Sequence, residues 1–229
     1  MANYRNGMET RQILYNSAKK LFYIQGYAAT TVKDIVTDAK SKLGLFTYYF
    51  DGKEAVAIDI FKDFVNDIAL VLEVPLKALY DQGDFLLIDI VEYRCYFRGL
   101  CAGPEIKRFY SEISASAAFA QMTIELKDYF IERLHKSGLI QGTNPMIRDQ
   151  VYLEAVSSLT SGMEIQFFKD LVDGKLDIDY DDAIDFFLTE YYRFLINDRS
   201  LVMNKLREGR KMAEALQLEI GEGFTVRLH

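Results

Sequence analysis

Proline is scarce in this chain, with three residues in 229, and glycine is not clustered, which argues against a many-turned β protein. Cysteine is scarcer still. Cys95 and Cys101 lie six positions apart in a helical stretch, nearly two turns from each other, a poor geometry for a disulfide. A reducing cytoplasm is the expected compartment. No apolar run reaches eighteen residues, so no membrane span is expected, and Met1 to Gly7 is too polar for a secretion signal. Histidine occurs only at His135 and His229, neither with Cys or acidic neighbours at zinc-ligand spacing. No nucleophile elbow, P-loop or dinucleotide fingerprint is present. The chain is therefore not read as an enzyme, and no metal or cofactor is expected.

What is abundant is apolar and aromatic: half the residues are hydrophobic, among them 15 Tyr and 16 Phe, enough for a sizeable core. Long stretches of helical period make the expected fold class all-α. The net charge of −7 argues against nucleic acid until the chain is divided. Residues 1–53 hold eight Lys and Arg against four Asp and Glu, a net +4, and the remainder is −11. A basic head on an acidic body is what a local phosphate-contacting module needs.

Within that head, Val32, Ile35, Val36 and Ala39 form a stripe at helical period, with Thr30 or Thr31 as the cap and Asp34 placed to reach back to Thr31. Phe46, Tyr49 and Phe50 give a second short helix, and Asp51 with Glu54 starts a third. Two short helices at this spacing predict a helix-turn-helix whose second helix enters a DNA major groove. The remaining helices are expected at about Glu9 to Gln25, with Ile13, Ser17, Ala18, Leu21 and Phe22 inward; Gly52 to Val74, ended by Pro75; Leu76 to Tyr80; Phe85 to Leu100; Glu105 to Ser114; Ser114 to Lys136; Met146 to Val172; Tyr180 to Ile196; and Ser200 to Leu216. The tail from Gln217 reads as irregular or as a small hairpin. The acidic run Asp173, Asp177, Asp179, Asp181, Asp182 and Asp185 fails the calcium-loop pattern, with Asp182 where Gly belongs and Leu188 where Glu belongs. It reads as helix capping and a solvated face.

The stretch Thr30 to Glu54 resembles the N-terminal signature of the TetR (tetracycline-repressor-like) family of bacterial transcriptional regulators. Thr30, Thr31, Val32, Asp34, Ile35, Ala39, Gly44, Tyr49, Phe50, Lys53 and Glu54 fall in place without gaps. The resemblance implies an N-terminal three-helix DNA-binding domain, residues 1–53, and a larger helical ligand-binding and dimerisation domain, residues 54–229. It implies base contacts from Lys42, Leu43 and Leu45, with Lys33. It implies phosphate contacts from Thr31, Thr47, Tyr49 and Lys53, with Tyr48 in the same DNA-facing set. The chain departs from the pattern at Lys40, the usual turn Gly; Ser41, the usual apolar turn residue; Lys42, the usual capping Ser; and Thr47, the usual first phosphate-binding Tyr. The motif is either retained in place or shifted, with Ser41 capping the second helix.

The resemblance further implies an apolar effector pocket, for which the candidates are Phe64, Tyr93, Tyr96, Phe97, Phe109, Tyr110, Phe130, Tyr152 and Phe167. A dimer surface is expected from Ala155, Ser158, Leu159 and Gly162 on one late helix and Phe187, Tyr191 and Phe194 on another. Arg94 and Arg98, between the aromatics, are read as surface or ion-paired arginines, with contact to an anionic ligand as the alternative. The implied function is a homodimeric repressor released from operator DNA by a small, largely apolar effector. The rival is a helical sensor or interaction protein of the same fold with weakened DNA binding.

Overall fold

The chain folds, in a computed structural model that describes residues 2–140 and 149–229, into helices α1 (Ala2–Gln25), α2 (Val32–Asp38), α3 (Leu43–Tyr49), α4 (Lys53–Gln82), α5 (Phe85–Cys101), α6 (Pro104–Ile113), α7 (Ala117–Lys136), α8 (Asp149–Val172), α9 (Tyr180–Arg193) and α10 (Arg199–Ala215). The tail closes as an antiparallel hairpin of β1 (Leu218–Gly221) and β2 (Thr225–Leu228) around a 3-10 turn, Glu222–Phe224. The all-α expectation holds. The loop expected at Gly142 to Pro145 and the helix start at Met146 lie outside the described residues.

Three local expectations are corrected. In α1 the buried face is Leu14, Tyr15, Ala18 and Phe22, while Ile13 is 52% exposed. Stepping i, i+4, i+8 from Leu14 keeps one face inward, and Ile13 lies a full residue's rotation off it. Pro75 does not end α4, which absorbs the short helix expected after it and runs to Gln82. Pro75 sits on the exposed side, and Ile68, Leu72 and Leu76 bury a continuous stripe past it. Continuing that burial outweighs the cost of one lost backbone bond at the surface. In α9, Phe187 and Tyr191 are 2% and 0% exposed. They pack inside the chain against Phe97, Phe168 and Tyr93 and have no surface to offer a partner. The outward aromatic of α9 is Phe186, 56% exposed, because the Ala183, Ile184, Phe187, Leu188, Tyr191 register faces the core.

Helix α5 is the centre of the body, buried on nearly every side. Helix α10 reaches it through Gly209, where a Cβ would come within 2.4 Å of Ile90 Cγ2. Gly209→Ala is therefore expected to cost about 1–3 kcal/mol through forced repacking, read as a lower urea midpoint at unchanged slope. The acidic run is answered by basic residues of α5 and α10. Arg98 grips Asp181 at 2.9–3.1 Å, Arg210 meets Asp185 at 2.6 Å, and the fully buried Arg94 lies against Asp185 and, at 4.0 Å, Asp181. Burial pulls the Arg94 guanidinium down to about 10. Asp179 caps α9 by accepting from the Asp181 amide at 2.9 Å. Thus Arg94 and Arg98 are ion-paired. Among the described residues no group of three metal-ligating side chains forms, no helix is long and apolar enough to cross a membrane, and both cysteines are free.

Candidate nucleic-acid interface and body cavity

The cap of α2 is Thr31, whose Oγ1 accepts from the Asp34 amide at 3.2 Å while Asp34 accepts from the Thr31 amide at 2.8 Å, a reciprocal capping box. The Thr31 hydroxyl also donates to Asp34, at 2.7 Å. These bonds hold the Asp34 carboxyl below its usual range. The other end of α2 closes with Ser41 N–H on Val36 O at 2.8 Å, Lys40 N–H on Thr37 O at 3.1 Å, and Lys40 at φ +48. That bond pair with a left-handed residue between is a Schellman stop, where glycine is the usual occupant. The turn is therefore retained in place. Ser41 does not cap α3; the cap position is Lys42, which makes no side-chain cap bond. A left-handed non-glycine residue costs roughly 1–2 kcal/mol. Lys40→Gly is expected to recover about 1 kcal/mol in thermal unfolding, with Lys40→Ala, which loses the charge and keeps the φ, recovering much less.

Helix α3 buries Phe46 alone, with Phe50 buried just after it. Leu43 (57%), Leu45 (38%) and Tyr48 (77%) are exposed, as are Lys42, Gly44 and Thr47. A Cβ on Gly44 would meet nothing within 4 Å, so the outer surface there is bare backbone. Tyr49 is half-buried, edge-on to Tyr48, and its hydroxyl lies close to Gly7. The Thr47 hydroxyl turns back to the Gly44 carbonyl at 3.2 Å. Lys33, Lys40 and Lys42 have no ion-pair partner among the described residues, whereas Lys20 is held by Asp38 and Arg11 by Asp59. Three unpaired lysines and two leucines border one exposed helix, a surface that can neutralise phosphates and touch thymine methyls but offers few groups for base hydrogen bonds. Lys53 is engaged within the head. Its Nζ donates to the Tyr27 and Thr30 carbonyls at 2.8 Å each and stands over the Tyr27 ring at 4.1 Å, which pins the α1–α2 connection to the start of α4.

The head is seated on the body through α6. Arg108 Nη2 donates to the Tyr23 and Ile24 carbonyls at 2.7 and 3.1 Å, at the C-terminal end of α1 where a cation is favoured. Glu112 accepts from the Ala28 amide at 2.9 Å. Gly26, at φ +94, lets these side chains close in, since a Cβ there would stand 3.0 Å from Arg108 Nε.

Between α4, α5, α7 and α8 the body holds a half-open cavity of about 60 Å³. Of the pocket candidates, the structure brings Tyr93, Tyr96 and Phe130 to its wall. The other six stand elsewhere. Phe64 lies where α4 meets Gly99, and Phe97 stacks on Phe168 at 3.6 Å. Phe109 lies beneath Phe22, and Tyr110 packs on Phe61 and Phe119. Tyr152 donates to the Phe194 carbonyl at 2.5 Å, and Phe167 packs on Phe186 and Phe187. These are packing roles. Phe61, Val65 and Ile68 of α4 join the wall, as do Met122 and Lys127 of α7 and Glu164 of α8.

The charged groups of the cavity are not among the residues that the sequence singles out. Lys127 and Glu164, 1% and 4% exposed, meet at 2.6 Å, and Lys127 Nζ donates to Tyr93 Oη at 3.0 Å. The ammonium also stands over the Tyr191 ring at 4.5 Å. Burial raises Tyr93 and Tyr96 well above the usual phenol range, so both are neutral hydroxyls at physiological pH. The available signal was register: Lys127 falls on the face of Met122, Thr123, Ile131 and Leu134, and Glu164 on that of Ser157, Ser161, Phe168 and Leu171, all buried. Beyond the cavity, Asp89 is fully buried against Arg133 at 3.4 Å and Tyr192 Oη at 2.7 Å, and burial pushes its carboxyl up to about 6.

On α8, Ala155, Ser158, Leu159 and Gly162 form an exposed stripe, with Leu159 at 54%. Phe194 is partly buried.

Residues 14–60 match the family described as bacterial regulatory proteins, tetR family. A curated relative, an uncharacterized HTH-type transcriptional regulator in the lacX 3' region of Lactococcus lactis subsp. lactis, is 27% identical over 103 residues, 42% of this chain and 51% of its own. The chain thus spans about half the length of the curated relative it matches. Three solved structures share the fold. RolR in complex with its ligand resorcinol aligns with TM-score 0.64 and 17% identity over 91% of this chain and 95% of its own. Full-length TylP, a TetR regulator from Streptomyces fradiae, gives 0.58 and 16% over 93% and 92%. A TetR-family transcriptional regulator from Pectobacterium atrosepticum gives 0.55 and 19% over 85% and 97%.

Proposed function

We propose that this chain, whose residues 14–60 match the tetR family of bacterial regulatory proteins, is a homodimeric repressor whose hold on operator DNA is released by a small, largely apolar molecule in the body cavity. One observation carries the reading. Helix α4 begins at Lys53, which pins the head, and the same helix presents Phe61, Val65 and Ile68 to the cavity two to four turns later. Occupation of the cavity bears directly on the rod that sets the angle of the head. Two heads must stand about one DNA turn apart, roughly 34–36 Å, so a small tilt of α4 in each protomer changes the fit to two half-sites. The exposed α8 stripe supplies a face for pairing.

The DNA surface in this reading is Lys33, Lys42, Leu43, Gly44, Leu45, Thr47 and Tyr48. Selection of genomic fragments by the full chain across a salt series tests it. Retention of particular fragments at moderate salt is expected, with affinity falling steeply as salt rises. Binding that shows no fragment preference and vanishes as salt rises would favour the rival sensor without operator function. Lys42→Ala is expected to weaken binding and lower the salt slope by about one.

A further inference from the structure

We propose that the effector is a neutral aromatic molecule bearing a hydroxyl group, which bridges the Lys127–Glu164 ion pair from the cavity side. The inference rests on the reading of this chain as a ligand-responsive regulator and adds the chemistry of the ligand to it. Four aromatic rings, Phe61, Tyr93, Tyr96 and Phe130, and the Met122 thioether line the cavity beside aliphatic Val65, Ile68 and Leu126. Such walls favour a planar ring, which stacks or meets them edge-on.

The fixed polar groups then decide what the ring carries. Glu92 is taken by Arg133 at 3.0 Å and by Tyr80 Oη at 2.8 Å, and the Thr123 hydroxyl donates to the Phe119 carbonyl at 3.0 Å. Besides the neutral Tyr93 and Tyr96 hydroxyls, that leaves Lys127 and Glu164, a cation and an anion 2.6 Å apart and shielded from water. Their charges cancel. A carboxylate ligand drawn to Lys127 would stand against Glu164, and an ammonium drawn to Glu164 would stand against Lys127. Either brings a net charge into a buried site, at high cost. A hydroxyl donates to the carboxylate and accepts from the ammonium, so it serves both partners and leaves the site neutral. A buried ion pair adds little net stability over an apolar pair of similar volume. Its place in a cavity wall, one member on α7 and one on α8, is accounted for by recognition.

The test uses the full-length protein and four probes of similar size: 4-ethylphenol, ethylbenzene, benzoate and benzylamine. Dissociation constants are measured by calorimetry at pH 7, alongside release of a selected operator fragment. The expected result is that 4-ethylphenol binds at least tenfold more tightly than each of the other three. The double variant Lys127→Met with Glu164→Leu removes the pair without stranding a charge. It is expected to stay folded and to bind 4-ethylphenol and ethylbenzene within about threefold of each other, since only apolar contact remains. Benzoate or benzylamine binding as tightly as the phenol, ethylbenzene matching it in the unaltered protein, no probe binding, or a phenol preference that survives in the double variant would each overturn the inference. The two layers fail separately. Operator release by benzoate or benzylamine alone refutes the ligand class and leaves the regulator standing. Tight phenol binding with operator affinity unchanged refutes the regulatory reading and leaves the ligand class standing.

Discussion

Phe224→Ala is expected to lower the unfolding free energy by about 3–5 kcal/mol, the usual cost of emptying a phenyl-sized site in a packed core. Phe224 is fully buried although it lies in a terminal hairpin. Its ring stacks on Phe109 of α6 at 4.6 Å and meets Tyr23 of α1 edge-on at 5.2 Å. Phe109 in turn stacks on Phe22 at 5.9 Å. The residue is held at φ +58, a conformation that costs an L-residue roughly 1–2 kcal/mol and is kept because the packing outweighs it. Urea denaturation reads the loss. A change below about 1 kcal/mol would mean that the hairpin lies on the core without being part of it. Because the ring also supports the carbonyl end of α1 that Arg108 grips, the same variant is expected to weaken operator binding in proteins still folded.

Lys127→Met alone is expected to cost about 3–5 kcal/mol, far more than the double variant with Glu164→Leu. The single change leaves the Glu164 carboxylate 4% exposed without its cation, and the Tyr93 hydroxyl loses the donor 3.0 Å away. The double change removes both charges and fills the space with carbon. Near-neutrality of the double beside a severe single measures the coupling directly. Equal and small losses in both would show that water reaches the carboxylate freely.

The head was legible because its signals are local. Asp34 stands three residues from Thr31, and Val32, Ile35 and Val36 repeat within one short helix, so cap and face follow from neighbours in sequence. The turn was legible only as two alternatives, and the positive φ of Lys40, where the family's usual glycine stands, decides for the unshifted one. The aromatic body was not. Tyr191 and Phe186 both sit on α9, and only the packing of α5 and α8 against it decides which points inward. Pro75 misled because a proline's local cost was weighed without the burial of Leu72 and Leu76 on either side. The ion pair of the cavity joins positions 37 apart in sequence, and no spacing rule reaches that far; a charged residue in a core register was the one trace it left.

The contact between Phe224 and the first helix has a consequence for the order in which the protein is made. Tyr23 leaves the ribosome about two hundred residues before Phe224, an interval of roughly 10–40 s at ordinary synthesis rates. During that time the helix-turn-helix can form its caps and its small core, yet the seat beneath α1 stays open. A nascent chain stopped short of the hairpin would hold the head through Arg108, Glu112 and Phe109 of α6 alone, without the ring that backs Tyr23.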